Sequence, residues 1–395
     1  MIYLKVGIDK IGFYSPKFYI DTSDLAIARN EDPNKYLIGI GQKKQAVIPN
    51  TQDVVTMAAN ASYKIISHDD IDKIDLIIFG TETGVDNSKS AAIYLQNLLS
   101  LKSSARAFEI KQACYGATAG LQMAKEYIIN HPDKKALVIG ADVARYGINT
   151  PGEVTQGGGA IAMIVSSNPS IASFDGDSTF HSDDIMDFWR PLYSTEALVD
   201  GHYSNNVYVD FFKKTWKEYN DKNQLSIDDY SALVFHLPYV KMGIKGLRAV
   251  LSEATEDKQI SLKNEFNFSK TYNENIGNLY TGSLYLSLLS LINESSNLKY
   301  GDRIGLFSYG SGAQGEFFSM KLEKSFKNAK SINDLNNLIA NREKLSVEEY
   351  ENIFNQWLPI KNIDIDLNWQ RDDSTFFLKS IKNSQRIYSS RLEEK

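Results

Sequence analysis

Cysteine is almost absent from this chain: among 395 residues there is one, Cys114. A single thiol excludes an intrachain disulfide framework and any Cys-rich zinc or iron–sulfur centre, and it fits a reducing cytosol. Histidine is scarce as well. The five, His68, His131, His181, His202 and His236, never fall at the i, i+4 spacing that puts two ligands on one helix face, so no metal site is expected. Excess positive charge is lacking. With 43 Lys and Arg against 49 Asp and Glu, the net charge of −6 gives no electrostatic footprint for nucleic acid or an anionic membrane. Long apolar runs are missing too. The greasiest stretch, Leu279 to Ile292, is interrupted by Tyr, Thr and Ser and is too short and too polar to span a bilayer. The first ten residues have neither the cationic nor the apolar region of a signal peptide, and the expected location is cytoplasmic.

What is present is an α/β pattern. The length suggests two domains or one fused double unit. Val6 to Phe13 alternates as a strand, and Leu76 to Gly80 is a short apolar strand followed by a helix over Ser88 to Leu101. Next come a strand over Ala105 to Ile110, a helix over Leu121 to Ile129, and strands over Ala136 to Ile139 and Ala160 to Val165. The order then returns: a strand at Ala232 to Phe235, helices over Lys241 to Ser252 and Leu279 to Ile292, and strands at Ile304 to Ser308 and Glu316 to Leu322. Identity between the halves is negligible, so the duplication is one of element order. The expected divisions are an N-terminal half (1–170), an aromatic and acidic insertion read as a loop-rich surface connection (171–230), a C-terminal half (231–325) and an appendage (326–395). The appendage reads as helical and then strand-like over Thr375 to Ile387.

The candidate chemistry sits at strand ends and helix starts, which meet at one rim in packed α/β layers. Cys114 lies in Gln112-Ala-Cys-Tyr-Gly-Ala-Thr, between a strand and the first turn of a helix, where free N–H groups favour the thiolate. A buried structural cysteine is the plain alternative. Glu82 follows an apolar strand among small residues, where poor solvation raises a carboxyl toward general-base range; a solvated loop glutamate is the other reading. His236 ends a buried strand before Pro238 and could be a core histidine bonded to a carbonyl. Lys241 and Lys245, i and i+4 on the next helix, suit a phosphate clamp or a solvated face. Asn278 either caps its helix or donates its amide. The glycine runs 156–159 and 308–312 let a backbone approach a ligand closely, without the dinucleotide-binding pattern.

Taken in order, these motifs resemble one family over essentially the whole chain. They run from Gly7-Ile-Asp-Lys-Ile and Gly80-Thr-Glu-Thr through Ala113-Cys-Tyr-Gly-Ala-Thr and Asp187-Phe-Trp-Arg-Pro. They continue with Phe235-His-Leu-Pro-Tyr-Val-Lys-Met-Gly, Gly277-Asn-Leu-Tyr-Thr-Gly-Ser and Phe307-Ser-Tyr-Gly-Ser-Gly. The chain is similar to the 3-hydroxy-3-methylglutaryl-CoA synthases of the thiolase superfamily, in their bacterial mevalonate-pathway form. The resemblance implies a thiolase-like duplicated αβαβα layered fold with mixed sheets. It implies a cytoplasmic homodimer that needs no cofactor and takes acetyl-CoA and acetoacetyl-CoA as substrates. It makes Cys114 the acetyl-accepting nucleophile, Glu82 the general base and His236 the residue that positions and polarises acetoacetyl-CoA. Tyr146, Thr155, Ser204, Lys241, Lys245, Asn278 and Ser311 match substrate-contacting positions. Pro151 and Val154 depart from residues common in relatives, which blurs the contacts of the 151–155 loop. Carrier-protein-dependent relatives of polyketide β-branching share the chemistry, so a carrier-bound acetoacetyl group is the alternative acceptor. A catalytically dead binding subunit is countered by the intact Glu82, Cys114 and His236.

Overall fold

The computed structural model describes residues 4–328, 331–357, 364–368 and 370–392. Its centre is one ten-stranded mixed sheet. The first half contributes β1 (Gly7–Tyr14), β2 (Ile74–Gly80), β3 (Arg106–Ile110), β4 (Lys135–Ala144) and β5 (Gly157–Ser166). The second contributes β6 (Ala172–Phe174), β7 (Thr179–Ser182), β8 (Ala232–Phe235), β9 (Arg303–Gly310) and β10 (Gln314–Leu322). Across the sheet the order is β8-β9-β10-β6-β1-β5-β4-β2-β3, with β7 on β10.

The duplication expected from element order appears in the pairing. In the first half β2 and β4 are parallel, β4 and β5 antiparallel, and β5 and β1 antiparallel. In the second, β8 and β9 are parallel, β9 and β10 antiparallel, and β10 and β7 antiparallel. The short β6 joins the halves by pairing with both β1 and β10. The continuous apolar runs of β2, β4 and β5 follow from burial on both faces.

Five helices matter for the site: α1 (Val54–Tyr63), α2 (Gly116–Asn130), α3 (Gly201–Asn223), α4 (Val240–Arg248) and α5 (Ser283–Glu294). Residues Ser283 to Ile292 of α5 are all buried, as a helix apolar on every face must be. Its start is later than expected because a 3₁₀ turn, Tyr280–Gly282, comes first. The helix expected over Ser88 to Leu101 is trimmed to Ala91–Leu98, capped by Ser90.

The segment 171–230 is not a loop-rich connection. Two of its strands enter the sheet, and the 23-residue α3 lays Tyr208, Phe211, Phe212 and Trp216 on the β8–β10 face. Phe212 meets Phe235 and Phe307 with ring centroids 5.1 Å apart in both pairs. Aromatic faces and edges attract at such separations, and the large rings bury enough apolar area to hold a long, otherwise polar helix. In the appendage, the run from Thr375 to Ile387 is a hairpin (Phe376–Lys382 with Gln385–Ser390) that turns at Asn383 and Ser384, both at positive φ.

Candidate active site

Two glycines bring the chemistry together. A Cβ on Gly80, the last residue of β2, would stand 2.4 Å from the Ala117 nitrogen, and one on Gly310 would stand 2.7 Å from the Tyr115 nitrogen. No side chain fits there, so β2 and β9 both press against the turn that opens α2. That turn carries Cys114 two residues before the helix begins, with Tyr115 as its N-cap and Ala113 held at φ +42°. A left-handed alanine is strained, and such strain persists only where its surroundings enforce it.

Glu82 stands two residues beyond β2, its side chain 6% exposed. The Cys114 thiol donates to Glu82 Oε1 at 3.3 Å. Burial, reinforced by the Asp142 charge, pushes the Glu82 carboxyl up to about 8, while Arg190 and the thiol draw it down. The poor solvation expected at this position is therefore present. The thiolate expectation is overturned. Cys114 is half-buried, but its sulfur loses most of its hydration, and Glu82, Asp142 and Asp187 add negative charge around it. Together they push the thiol well above its ordinary value. The helix end adds only a partial positive charge, so desolvation and three carboxylates outweigh it.

His236 continues β8, with its N–H bonded to the Phe307 carbonyl and its carbonyl accepting from Tyr208. Burial lowers its imidazole to about 3, so the ring is neutral at physiological pH. Nδ1 has no partner, which removes the core histidine bonded to a carbonyl. Asn278 does not cap α5. Its Oδ1 accepts from the Tyr280 nitrogen at 2.8 Å and the Ser283 hydroxyl at 3.0 Å, while its buried Nδ2 is unpartnered. Tyr146, half-buried, faces Tyr280 edge-on at 6.2 Å, and both pack on Phe188. Burial and the neighbouring Cys114 raise the Tyr146 phenol. These rings, the Asn278 amide and Glu82 form one wall.

Other expected positions stand apart. Thr155 donates to the Gly152 carbonyl at 2.8 Å within its own turn. Ser204 donates to Asp187 Oδ2 at 2.9 Å, so its hydroxyl is already engaged. Ser311 lies in the β9–β10 turn, where its carbonyl accepts from Gln112 at 3.4 Å. Lys241 and Lys245 lie on α4 without contact to Glu82 or Cys114; Lys245 donates to the Tyr239 hydroxyl at 3.0 Å. The glycines of 157–159 are strand residues facing protein, not a ligand. A Cβ on Gly157 would meet the Ile276 carbonyl at 2.7 Å, and Gly157 bridges Gly277.

Three residues of the site lie outside the set expected from sequence. Asp142, fully buried in β4, accepts at Oδ1 from the Thr81 and Thr83 hydroxyls and the Glu82 and Thr83 nitrogens, and at Oδ2 from Thr281. Asp187 accepts from Ser204, from the Tyr309 hydroxyl at 2.8 Å and from the Gly312 nitrogen at 3.0 Å. Arg190 Nη2 donates to both the carbonyl and the Oε2 of Glu82. A lone aspartate inside an apolar strand was a usable signal, since a buried carboxylate must find donors. A cleft of about 760 Å³ opens beside Glu82, Gln112, Trp189 and Arg190. Among the described residues no group of three or more His, Cys, Asp or Glu could hold a metal ion. No helix among them is long and apolar enough to cross a membrane.

A cysteine in the turn that opens a helix, hydrogen-bonded to a carboxyl group at a strand end of a duplicated mixed sheet, defines a thiolase-like acyltransferase. The pattern of the hydroxymethylglutaryl-coenzyme A synthase N terminal matches residues 3–170, and that of the C terminal matches 173–270 and 254–391. The hydroxymethylglutaryl-CoA synthase of Enterococcus faecalis is 46% identical over 385 residues, 98% of this chain and 100% of that one. A crystal structure of HMG-CoA synthase complexed with CoA matches with a TM-score of 0.95 and 44% identity, covering 98% of this chain and 100% of the other. The polyketide biosynthesis 3-hydroxy-3-methylglutaryl-ACP synthase of Bacillus subtilis is 31% identical over 374 residues, 89% of this chain and 88% of that one. The chain belongs to the hydroxymethylglutaryl-CoA synthase family, and within it the bacterial mevalonate-type enzyme is nearer than the polyketide one.

Proposed function

We propose that this enzyme condenses acetyl-CoA with acetoacetyl-CoA to 3-hydroxy-3-methylglutaryl-CoA through an acetyl-Cys114 intermediate, as an early step of mevalonate-dependent isoprenoid synthesis. The observation that carries the reading is the 3.3 Å contact between the Cys114 sulfur and Glu82 Oε1. As a carboxylate, Glu82 takes the thiol proton while sulfur attacks the acetyl carbonyl. The proton leaves on the departing CoA thiol, and Glu82 is a carboxylate again. Backbone N–H groups of Cys114 and the Ser311 turn hold the oxyanion.

The acetyl group stays a thioester, so its methyl remains acidic and fixed in place. Glu82 removes a methyl proton, the enolate carbon attacks the ketone of acetoacetyl-CoA, and Glu82 returns that proton to the new tertiary alkoxide, leaving a hydroxyl and a carboxylate again. His236, being neutral, serves as an N–H donor to the developing alkoxide rather than as an imidazolium acid. Water then cleaves the Cys114 thioester, releasing product and free thiol. Tyr146 and Asn278 line the acyl pocket. Ser204, acting through Asp187, and Ser311 and Thr155 shape its approaches, while Lys241 and Lys245 guide the acceptor's phosphates. A cytoplasmic homodimer belongs to this reading.

The test is intact-mass spectrometry. Acetyl-CoA alone should add one acetyl group at Cys114, and acetoacetyl-CoA should discharge it. Discharge by an acetoacetyl-carrier protein but not by acetoacetyl-CoA would replace the proposal with the polyketide alternative.

A further inference from the structure

Glu82 and Asp142 are two neighbouring carboxylates from different strands, Asp142 accepting from the Glu82 backbone nitrogen, and their surroundings differ. Asp142 is satisfied wholly by neutral donors, the hydroxyls of Thr81, Thr83 and Thr281 and three backbone N–H groups. None of these cancels its charge. Glu82 meets the thiol at Oε1 and a guanidinium at Oε2, 3.4 Å away. Among the described residues Arg190 supplies the only cation within ion-pair distance of Glu82. It also grips the Glu82 backbone carbonyl, so one side chain fixes both the turn and the carboxylate.

Arg190 belongs to the insertion. It follows a two-residue strand, Phe188–Trp189, that pairs with Leu198–Val199, and its guanidinium lies over the Tyr280 ring at 5.9 Å. Its side chain is 14% exposed. A planar guanidinium set over a ring, with Nη2 reaching both a carbonyl and a carboxylate, is poorly replaced by lysine, which offers a compact charge that does not stack in the same way.

We infer that Arg190 is the positioning residue and counter-ion of Glu82. It holds Oε2 so that Oε1 is presented to Cys114 and its acyl group, and it lets the base ionise beside Asp142. The inference rests on Glu82 being the base of the proposed reaction. Other titratable groups around Glu82 are Asp142 from β4, Cys114 from the α2 turn, and Tyr146 and Tyr280 from the facing wall. Farther along the cleft are Asp86, Glu109, Lys111 and Arg145. An opposite charge at this range lowers a carboxylate by about 1–3 units. Removing Arg190 therefore leaves too little ionised base at neutral pH.

The experiment compares Arg190→Gln, Arg190→Lys and Glu82→Gln in the full-length enzyme. Acetyl-Cys114 formation and condensation are followed separately from pH 6 to 9.5, together with solvent deuterium entry into the acetyl methyl. Arg190→Gln should still acetylate, more slowly at neutral pH because Glu82 also takes the Cys114 proton. Its condensation and deuterium exchange should fall roughly tenfold at pH 7 and recover at high pH, because the acid limb moves up by about one unit. Arg190→Lys should restore the limb but not the full rate. If Glu82→Gln cannot condense while the limb of Arg190→Gln stays where the wild type has it, the inference fails and the base assignment stands. If Glu82→Gln condenses at the wild-type rate, the base assignment fails and the inference with it. Should Arg190→Gln not fold, Arg190→Lys condensing at the full wild-type rate would equally overturn the inference, since lysine cannot hold the Glu82 carbonyl and Oε2 as the guanidinium does.

Discussion

The Cys114 thiol donates to Glu82 Oε1 across 3.3 Å, so the proposed nucleophile and the proposed base share a hydrogen bond. Both groups hold their protons more tightly than in water, Glu82 up to about 8 and Cys114 well above its ordinary value. The resting enzyme is therefore quiet, and its reactivity depends on which proton leaves first.

Cys114 should react slowly with iodoacetamide at pH 7.5, because the thiolate is the alkylated form. Glu82→Gln removes a neighbouring negative charge that helps to hold the thiol proton. Alkylation of that variant at pH 8.5 should be several-fold faster than wild type, read by mass spectrometry of the Cys114 peptide. Equal or slower alkylation would mean that Glu82 does not restrain the thiol. Cys114→Ser should take up no acetyl group at all.

Glu82 also makes stability depend on pH. Its ordinary value is 4.5 and its folded value about 8, so the folded state binds a proton that the unfolded state releases. The resulting stabilisation is fully present below 4.5 and is lost as pH rises through about 8. Glu82→Gln cannot titrate. Its melting temperature should match or barely exceed wild type near pH 5 and gain on the order of a few °C by pH 8.5. Scanning calorimetry at the two pH values decides it, and a gain independent of pH would contradict the argument.

His236 should leave no ionisation between pH 5 and 8 in the condensation profile, since its folded value is about 3. His236→Ala should acetylate Cys114 normally but need far more acetoacetyl-CoA, with a rise in KM of at least tenfold. An unchanged KM would remove His236 from acceptor binding.

How these residues came to be found, or missed, follows from what a local pattern can carry. The strands of the sheet were readable because double-sided burial demands unbroken apolar runs, as in Ile74–Gly80. Glu82 and Cys114 were readable as candidates because each follows a strand among small residues. The pairing of Arg190 with Glu82 spans 108 positions, and that of Asp142 with Thr281 spans 139, so no periodicity encodes either. The state of Cys114 is hidden for the same reason: the helix beside it is local in sequence, whereas the carboxylates around it are gathered by folding. The glycine run 157–159 was read as a ligand cradle because its backbone partner, Gly277, lies far along the chain.

Glu82→Ala separates acyl loading from carbon–carbon bond formation. Acetyl transfer can proceed without Glu82, since bulk base and the departing CoA thiolate can carry the thiol proton once the neighbouring negative charge is gone. Carbon–carbon bond formation cannot, because an unactivated methyl must lose a proton inside a site whose other nearby carboxylate, Asp142, is occupied by six donors. A positioned base contributes roughly 10²- to 10⁴-fold. The variant should accumulate acetyl-Cys114 while condensation falls by that order, and deuterium should enter the acetyl methyl correspondingly more slowly. Asp142 cannot take over, because protonating it would break the hydrogen bonds that hold the Thr81–Thr83 turn. Condensation at near wild-type rate by Glu82→Ala would show that the carbanion arises without this carboxylate, and that the short contact with Cys114 serves acyl loading alone.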